Sequence, residues 1–205
     1  MGWWHERVVP RIVDKALGTE QVRELRGRVC AGTSGDLVEI GFGSGLNLAH
    51  LPSGVSGVWA VEPSDLAWSI AQKHVAASPL TTRRAGLDGQ VLELPDDRFD
   101  TALSTFSMCT IPDVDAALGE VRRVLRPGGA LHFLEHGRSP DASVARWQDR
   151  LQPIQYRLAG GCRLDRPISD LVERSGLVVE ELETFYAAGP KPLAYLFLGR
   201  ARKVA

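Results

Sequence analysis

The sequence predicts an α/β protein in which a doubly wound sheet of seven strands forms a single domain. Three observations lead to this prediction. Short runs of β-branched and apolar residues alternate with segments of helical periodicity. A glycine-rich turn follows the first of these runs, and a Gly-Pro turn near the end of the chain permits a closing hairpin. The 205 residues, 44% of them hydrophobic, suffice for one sizeable core.

Two helical segments precede the first predicted strand. Residues 3–17 carry an apolar face, which either packs on the core or, through Trp4, forms a lid over a site or contacts a lipid surface. A second, charged helix is predicted over residues 20–30. We therefore assign residues 1–35 to N-terminal helices or a lid, and residues 36–205 to the main domain.

The first strand, residues 37–40, runs into the turn around which the rest of the chain is organised. Gly41, Gly43 and Gly45 remove Cβ atoms where the chain turns sharply and where a ligand must touch the backbone. A helix is expected after this turn, with its free N–H groups and positive dipole end toward the ligand. The turn therefore predicts the binding of a small polar molecule, such as a nucleotide-like cofactor.

The spacing of the glycines indicates which class of cofactor the turn can bind. The dinucleotide fingerprint needs glycine or alanine at the position of Leu46, where leucine would crowd the helix against the strand. A phosphate-binding loop would need Gly-Lys-Ser or Gly-Lys-Thr, and neither follows. An acidic residue, Glu39, stands two positions before the first glycine. A nicotinamide cofactor is therefore disfavoured, although it stays an alternative.

The second predicted strand, residues 57–62, ends on an acid. Glu62 lies 21 residues after Gly41, at the distance where an acidic residue is expected to bind ribose hydroxyl groups. Its carboxylate can accept two hydroxyl hydrogen bonds. The alternative is a solvated glutamate at the end of a strand. Pro63 ends this strand, and a helix is predicted over residues 65–77.

The remaining elements continue the alternation of strands and helices. The fourth strand should end near Thr105 and Phe106, at the crevice where open α/β sheets bind ligands. A helical insertion at residues 138–165 follows the fifth strand. The other predicted elements are strands over 81–85, 99–105, 129–135, 177–185 and 193–199 and helices over 113–123, 141–158 and 166–175.

Three sequence segments resemble the class I S-adenosylmethionine-dependent methyltransferases. The string E-x-G-x-G-x-G that starts at Glu39 is similar to their motif I. Residues 86–100 are similar to the segment G-D-A-E-x-L-P-F-P-D-x-S-F-D, from which Leu87 and Glu93 depart. Residues 122–131 resemble the L-R-P-G-G turn before strand five. The resemblance implies a Rossmann-like fold with an antiparallel last strand, and S-adenosylmethionine as the cofactor.

The same resemblance implies a set of cofactor-binding residues. In that family the glycine loop wraps the methionine part of the cofactor, and an aspartate with the following N–H reads the adenine. Asp88 and Gly89 align with the adenine-reading pair, and an ordinary polar loop is the alternative. The side chain of Asn47, taken by itself, indicates only a structural role. The implied set is Glu39, Gly41, Phe42, Gly43, Ser44, Gly45, Asn47, Glu62, Pro63, Asp88, Gly89, Thr105 and Phe106.

From Asp36 onward the chain is similar to a methyltransferase-domain family that includes quinone- and phospholipid-methylating bacterial enzymes. Further landmarks are similar to those of methyltransferase-like thiol S-methyltransferases: the run 104–111, the pair Glu135-His136, Trp147 and Gly161-Cys162. This resemblance implies a small, largely apolar acceptor, with a thiol favoured over a hydroxyl or an amine. The alternatives are a quinone or phospholipid methyltransferase, and a module that binds S-adenosylmethionine without catalysis.

The predicted catalytic residues lie at the end of strand five. His136 is expected to take the thiol proton, while Glu135 either orients that imidazole or binds the edge of the cofactor. The alternative is that His136 only hydrogen-bonds the insertion and holds it closed. The candidate residues for acceptor binding are Trp4, Met108, Trp147 and Tyr156.

Charge and cysteine usage exclude several classes of function. A formal net charge of −1 gives no reason to expect a nucleic acid partner. Cys30, Cys109 and Cys162 are widely separated and form no C-x-x-C pair, so we expect reduced thiols in a cytoplasmic protein and no disulfide framework or zinc site. No apolar run is long enough for a membrane span, although peripheral lipid contact stays open. The sequence does not predict the oligomeric state.

Overall fold

The computed structural model describes residues 17–204, and in this part of the chain a seven-stranded sheet is flanked by five helices. The sheet has the strand order β3-β2-β1-β4-β5-β7-β6. The strands are β1 (Gly35–Ile40), β2 (Val55–Val61), β3 (Thr82–Gly86), β4 (Phe99–Thr105), β5 (Leu125–His136), β6 (Val178–Tyr186) and β7 (Tyr195–Arg202). The helices are α1 (Glu20–Cys30), α2 (Asp65–Ala77), α3 (Val114–Val124), α4 (Ala142–Leu158) and α5 (Ile168–Arg174).

The strand pairing confirms the predicted doubly wound sheet with an antiparallel last strand. β1 pairs in parallel with β2 and with β4, so that Leu37 lies between Val58 and Thr101. β7 is inserted between β5 and β6 and runs antiparallel to both. Because β1, β2, β4 and β5 are parallel, their carboxyl ends meet at one edge of the sheet.

The core lies on both faces of the sheet. Successive side chains of a strand point to opposite faces, and accordingly Val38 and Ile40 belong to one cluster while Leu37 belongs to another. The first cluster includes the apolar side of α3, and the second includes Leu25 of α1 and Ala71 of α2. Burial on both faces explains why these strands are almost continuously apolar.

The helix expected after the glycine turn is absent. The chain forms only a single 3₁₀ turn, Leu48–His50, and then becomes extended at Leu51, with φ −70° and ψ 130°. Leu51 precedes Pro52, and the residue before a proline is biased toward extended backbone. The prediction of a helix terminus with free N–H groups facing the ligand was therefore wrong, and any ligand there meets a loop.

The other boundaries differ by small amounts. β5 begins at Leu125, before the expected strand, because Leu125 already pairs with Phe99 and the ladder resumes at Ala130 after the Pro-Gly-Gly bulge. β7 begins at Tyr195, since residues 191–193 form a 3₁₀ turn. The first predicted helix and Trp4 lie outside the described residues. Within residues 17–204, no helix combines the length and the apolar character that crossing a membrane requires.

Candidate active site

The glycine loop is held to the end of β2 by Glu62. The Gly43 N–H donates to Glu62 Oε2 at 2.7 Å, and the Ser64 N–H donates to Glu62 Oε1 at 2.8 Å. Burial raises the pKa of Glu62, and these two hydrogen bonds oppose the shift. An ionised carboxylate has about four lone-pair positions. Glu62 can therefore accept two further hydrogen bonds from a ligand while it still holds the loop.

The space beside Gly43 is open, whereas the space beside each of the other two glycines of the loop is filled by a side chain. Gly43 has φ +59°, and a Cβ built there would have one neighbour, the Gly41 carbonyl oxygen at 3.9 Å. A Cβ at Gly41 would collide with the side chain of Ser107, and one at Gly45 would come within 3.2 Å of the ring of Phe42. Gly41 and Gly45 thus permit packing within the protein, while Gly43 leaves room for a ligand.

A buried polar network lies under the loop, around Glu39. Asn47 donates through Nδ2 to Glu39 Oε1 at 2.7 Å and to Thr105 Oγ1 at 3.0 Å. The Arg26 guanidinium donates to Asn47 Oδ1 at 2.6 Å and to Thr105 Oγ1 at 2.9 Å. Burial raises the pKa of Glu39 to about 8, although Asn47 and Arg26 oppose that shift. Glu39 Oε2 is buried without a hydrogen-bond partner among the described residues, which is unusual for a native carboxylate.

Strained backbone marks the end of β4. Phe106 has φ +55°, a conformation that costs a non-glycine residue about 1–3 kcal/mol and occurs preferentially at functional sites. Its N–H donates to the Leu134 carbonyl oxygen at 2.8 Å. Its ring centroid lies 4.9 Å from that of His136 and 5.8 Å from the Arg26 guanidinium. The strain therefore turns an aromatic ring across the ends of β4 and β5.

The remaining predicted cofactor residues differ in exposure. Ser44 bonds His74 Nδ1 through its carbonyl oxygen at 2.7 Å, and Pro63 is exposed. Asp88 is also exposed, and its Oδ1 accepts from the Gln90 N–H at 2.8 Å. A Cβ at Gly89 would come within 2.9 Å of Ile40 Cγ2. The loop of Asp88 thus packs against the end of β1 and leaves the carboxylate at the surface.

Glu135 does not orient His136. The Glu135 side chain is fully buried, and it accepts hydrogen bonds from Ser104 Oγ at 2.8 Å and from the N–H groups of Ser107 and Cys109 at 3.0 and 3.3 Å. None of these bonds goes to His136, since adjacent strand residues point to opposite faces. Burial raises the pKa of Glu135, and these hydrogen bonds oppose the shift. This carboxylate holds the loop after β4 in place.

His136 instead lies beside two thiols. Cys109 follows β4 and Cys162 follows α4, and their sulfur atoms are 3.6 Å apart. One ligand-type atom from each of Cys109, His136 and Cys162 lies within 4.8 Å of the other two. The hydrogen bond with Cys109, and next the one with His136, lowers the pKa of the Cys162 thiol, while that of Cys109 is raised. His136 therefore contacts the helical insertion through Cys162.

The predicted acceptor residues do not form one pocket in the described structure. Met108 is 3% exposed and packs in the first core cluster, whereas Trp147 and Tyr156 are 53% and 52% exposed. The guanidinium of Arg150 lies 5.3 Å from the Trp147 ring. Trp4, the fourth predicted acceptor residue, lies outside the described residues. Met108, which the sequence predicts to bind the acceptor, is thus buried in the core of the described structure.

Sequence reasoning missed Arg26 and the grouping of the two thiols. Arg26 is 5% exposed and belongs to the buried side of α1 with Leu25, Val29 and Cys30. The signal was available in part, because positions 26, 29 and 30 follow helical spacing and place a charge on the apolar face. The group of Cys109, His136 and Cys162 had no local signal, since its three members come from distant segments of the chain.

The site suits a ligand that carries hydroxyl groups and positive charge. Two buried carboxylates, those of Glu39 and Glu62, lie at the glycine loop, and each has unused capacity to accept hydrogen bonds. The open space beside Gly43 gives such a ligand access to the backbone. S-adenosylmethionine, with ribose hydroxyls, an ammonium and a sulfonium, meets these requirements.

Comparison with known proteins finds similarity to methyltransferases in family, sequence and structure. The family model described as "Methyltransferase domain" matches residues 38–133. The thiol S-methyltransferase TMT1B of Rattus norvegicus is 30% identical over 185 residues, which cover 87% of this chain and 72% of the relative. The human TMT1B is 30% identical over 186 residues, covering 88% and 73%. A crystal structure of an S-adenosylmethionine-dependent methyltransferase from Thermotoga maritima superposes with a TM-score of 0.68 at 24% identity, covering 98% of this chain and 99% of the other.

Proposed function

The chain belongs to the class I S-adenosylmethionine-dependent methyltransferases, and we propose that it methylates a small, largely apolar thiol. The cofactor of this family is S-adenosylmethionine, which when bound supplies an electrophilic methyl group on a sulfonium sulfur. The observation that carries the choice of acceptor is the similarity to relatives named thiol S-methyltransferases over most of both chains. Acceptor pockets vary more than folds do, so the acceptor requires its own test.

We assign the cofactor-binding roles to the glycine loop and the acids around it. Glu62 would accept hydrogen bonds from the ribose hydroxyls, and Gly43 would face the cofactor with bare backbone. The unpaired Glu39 Oε2 supports a role for Glu39 in holding positive charge at the methionine end. Asp88 and the N–H of Gly89 would read the adenine. The exposure of Asp88 supports this role, since its carboxylate is free to meet a ligand.

The acceptor would lie at the carboxyl ends of β4 and β5. Phe106 and His136 stand there with their rings in contact. Methyl transfer to a thiol requires the loss of the thiol proton, and a free thiol with a pKa near 8.5 needs only modest help at neutral pH. His136 is our candidate for promoting this deprotonation, either as the proton acceptor or through Cys109 and Cys162 beside it. Holding the insertion closed stays the alternative role.

The insertion at residues 138–165 would cover the acceptor. Gln148 of α4 is fully buried and ties the helix to the segment that leaves β5. Cys162, just after α4, brings the end of the insertion to His136. The predicted helix over residues 3–17 would complete this cover, with packing on the core as its alternative role. The three free, buried cysteines support a reducing, cytoplasmic setting.

Two measurements test this proposal. Isothermal titration with S-adenosylhomocysteine and with NADH should show binding of the former only, and Glu62→Gln should weaken it by roughly 10- to 100-fold. Asp65→Asn is the matched control, because Asp65 is an exposed acid near Glu62 that pairs with Arg84 at the surface. Its affinity should equal that of the wild type.

An acceptor panel then tests the thiol. We expect turnover with apolar thiols and little or none with a quinol or with a phosphoethanolamine amine. Methylation of the quinol or the amine but of no thiol would reject the thiol assignment. Tight binding of S-adenosylhomocysteine without turnover of any acceptor would favour a non-catalytic binding module.

A further inference from the structure

Three side chains that bind soft metals meet beside the proposed acceptor site. Cys109 comes from the loop after β4, His136 from the last position of β5, and Cys162 from the segment after α4. One ligand-type atom from each residue lies within 4.8 Å of the other two, and this is the one such group of three or more found among residues 17–204. The sequence led us to expect no zinc site, and the fold overturns the reason for that expectation, which was the wide spacing of the cysteines.

The distance between the sulfurs fits tetrahedral coordination. Zinc–sulfur bonds of about 2.3 Å at a tetrahedral angle place two sulfur ligands roughly 3.8 Å apart. The sulfurs of Cys109 and Cys162 are 3.6 Å apart. The two thiols therefore already lie near the separation that a shared zinc ion requires.

The backbone around both thiols is fixed on several sides. The Cys109 N–H donates to Glu135 Oε2 at 3.3 Å, and the Cys109 carbonyl oxygen accepts from the Arg163 N–H at 2.8 Å. Gln152 donates to the Cys162 carbonyl oxygen at 3.3 Å and accepts from the Leu164 N–H at 2.8 Å. Ligands held in this way are preorganised, which is what a metal site needs from its surroundings.

The cluster leaves one position open. Cys109 and Cys162 are 1% and 5% exposed, but His136 is partly exposed. Two thiolates and one imidazole are a ligand set that selects zinc among the common divalent metals. Structural zinc sites have four protein ligands, whereas catalytic sites have three and keep a position for water or substrate. The group of three therefore has the composition of a substrate-binding metal site.

We propose that Cys109, His136 and Cys162 bind a zinc ion whose open position takes the acceptor thiol. The part that concerns the acceptor rests on the proposed function, but the metal site itself does not. On binding the ion the thiol S–H bond breaks and the proton goes to solvent. The thiolate electron pair then forms the bond to the methyl carbon, and the carbon–sulfur bond of the sulfonium breaks with its pair left on the departing sulfur.

This proposal changes the role of His136. A ring nitrogen that coordinates a metal has no free lone pair with which to accept the thiol proton. His136 would then act as a ligand, and the ion would make the thiol acidic. Because the ring centroid of Phe106 lies 4.9 Å from that of His136, the ion would have an aromatic side chain close to one of its ligands, which suits an apolar acceptor.

The test measures metal on the intact protein, purified with a reductant that contains no thiol. After reconstitution with zinc and removal of the free ion, mass spectrometry should find about one zinc ion per chain. Cys162→Ala and His136→Gln should each lose it. Cys30→Ala is the matched control, since Cys30 is a buried thiol outside the cluster, and it should keep the metal. Circular dichroism and binding of S-adenosylhomocysteine show that each variant is folded.

Substitution with cobalt gives a second readout. Tetrahedral cobalt bound to two thiolates should show strong visible bands and a thiolate charge-transfer band, and added acceptor thiol should shift both. Wild-type protein that binds no zinc or cobalt, or both variants retaining the metal, would overturn the site. Metal binding without methylation of any thiol would leave the site standing and reject the acceptor. Thiol methylation by metal-free protein would remove the ion from the reaction.

Discussion

At the scale of single residues, two buried acids beside the same loop have different surroundings. Glu62 has two backbone N–H partners, while Glu39 has one side-chain partner and an unpaired oxygen. An unpaired buried carboxylate oxygen is costly. Burial favours the protonated form of Glu39 and a cationic ligand would favour its ionised form, whereas Glu62 already stabilises the loop before any ligand binds.

Alanine substitutions at the two glycines that flank Phe42 should have different effects, one mainly on stability and the other mainly on cofactor binding. Gly41→Ala puts a methyl group against Ser107 at φ +72° and should lower the free energy of unfolding by about 2–4 kcal/mol. Gly43→Ala should lower the free energy of unfolding only by the cost of a left-handed backbone conformation, about 1–2 kcal/mol. Its methyl group, however, would fill the space for the ligand. We expect roughly tenfold or greater loss of S-adenosylhomocysteine affinity in Gly43→Ala, measured by calorimetry alongside urea unfolding. Wild-type affinity in that variant would move the cofactor away from this loop.

Glu39 should make stability depend on pH. Its folded-state pKa is raised from 4.5 to about 8, so the folded protein binds this proton more tightly than the unfolded chain does. The resulting stabilisation is complete below pH 4.5 and is lost as the pH rises toward 8, at no more than about 1.4 kcal/mol per pH unit. Arg26 and Glu62 are the charged groups that act on it, in opposite directions.

Glu39→Gln isolates this effect, because the amide oxygen can still accept from Asn47. Urea unfolding of both proteins at pH 5.5 and pH 8 should show that the stability of the wild type relative to the variant falls as the pH rises. A difference that is the same at both pH values would mean that Glu39 has no raised pKa.

At the scale of elements, α4 is attached mainly by one buried amide. Gln148 accepts from the Ser139 N–H at 2.9 Å and donates to the carbonyl oxygens of Gly137 and Pro192 at 3.0 and 3.2 Å. The neighbouring Asp149 forms a two-bond ion pair with Arg138 at the surface. Exposed ion pairs contribute little to stability, whereas buried groups without partners cost much more. The insertion therefore depends on Gln148 and hardly on Asp149.

Substitutions of these adjacent residues test the attachment of α4. Gln148→Leu keeps the side-chain size but leaves three backbone groups unpaired, and should lower the free energy of unfolding by roughly 2–4 kcal/mol. Asp149→Ala should leave the free energy of unfolding almost unchanged, because exposed ion pairs contribute little. Thermal unfolding measures both. If the insertion covers the acceptor, Gln148→Leu should also raise the KM for the thiol more than it weakens S-adenosylhomocysteine binding. Equal losses in the two variants would show that the helix is held elsewhere.

At the scale of the whole molecule, the last of the seven strands along the described sequence lies inside the sheet. β7 pairs with β5 from Ala130 to His136 and with β6 along its other edge. The β5 edge, with the buried side chains of Phe133 and Leu134, is therefore completed only when β7 is in place. The site at the end of β5 depends on a segment that contains none of its predicted cofactor residues.

Truncation should reveal this dependence. A chain that ends at Ala194 should lose cooperative unfolding and S-adenosylhomocysteine binding, because the unpaired edge and apolar face of β5 are exposed to water. A chain that ends at Lys203 is the control, since it keeps all of β7 and should behave as the full-length protein. Circular dichroism during urea titration gives the readout. Cooperative unfolding of the shorter chain would show that β1 to β5 fold independently.

The features that depend on neighbours along the chain could be predicted from the residues alone. The alternation of strands and helices, the glycine turn and the acid after β2 could be predicted because strand pattern, backbone freedom and strand-end position are local properties. The absence of a helix after the glycine turn could also have been predicted from local sequence, because Pro52 disfavours helical backbone at Leu51. The antiparallel last strand came from resemblance, and the pairing of β7 with β5 confirmed it.

Contacts between residues that are distant in sequence could not be predicted and became visible in the fold. Arg26 reaches Asn47 and Thr105 because α1 packs on β5 and on the 3₁₀ turn Leu48–His50 that follows the glycine loop. Cys109, His136 and Cys162 are 27 and 26 residues apart in sequence, and they converge because the parallel register of β4 and β5 aligns their ends while α4 returns the chain to them. Such contacts depend on sheet order and register, and these are set by the packing of the whole core rather than by any segment of the sequence.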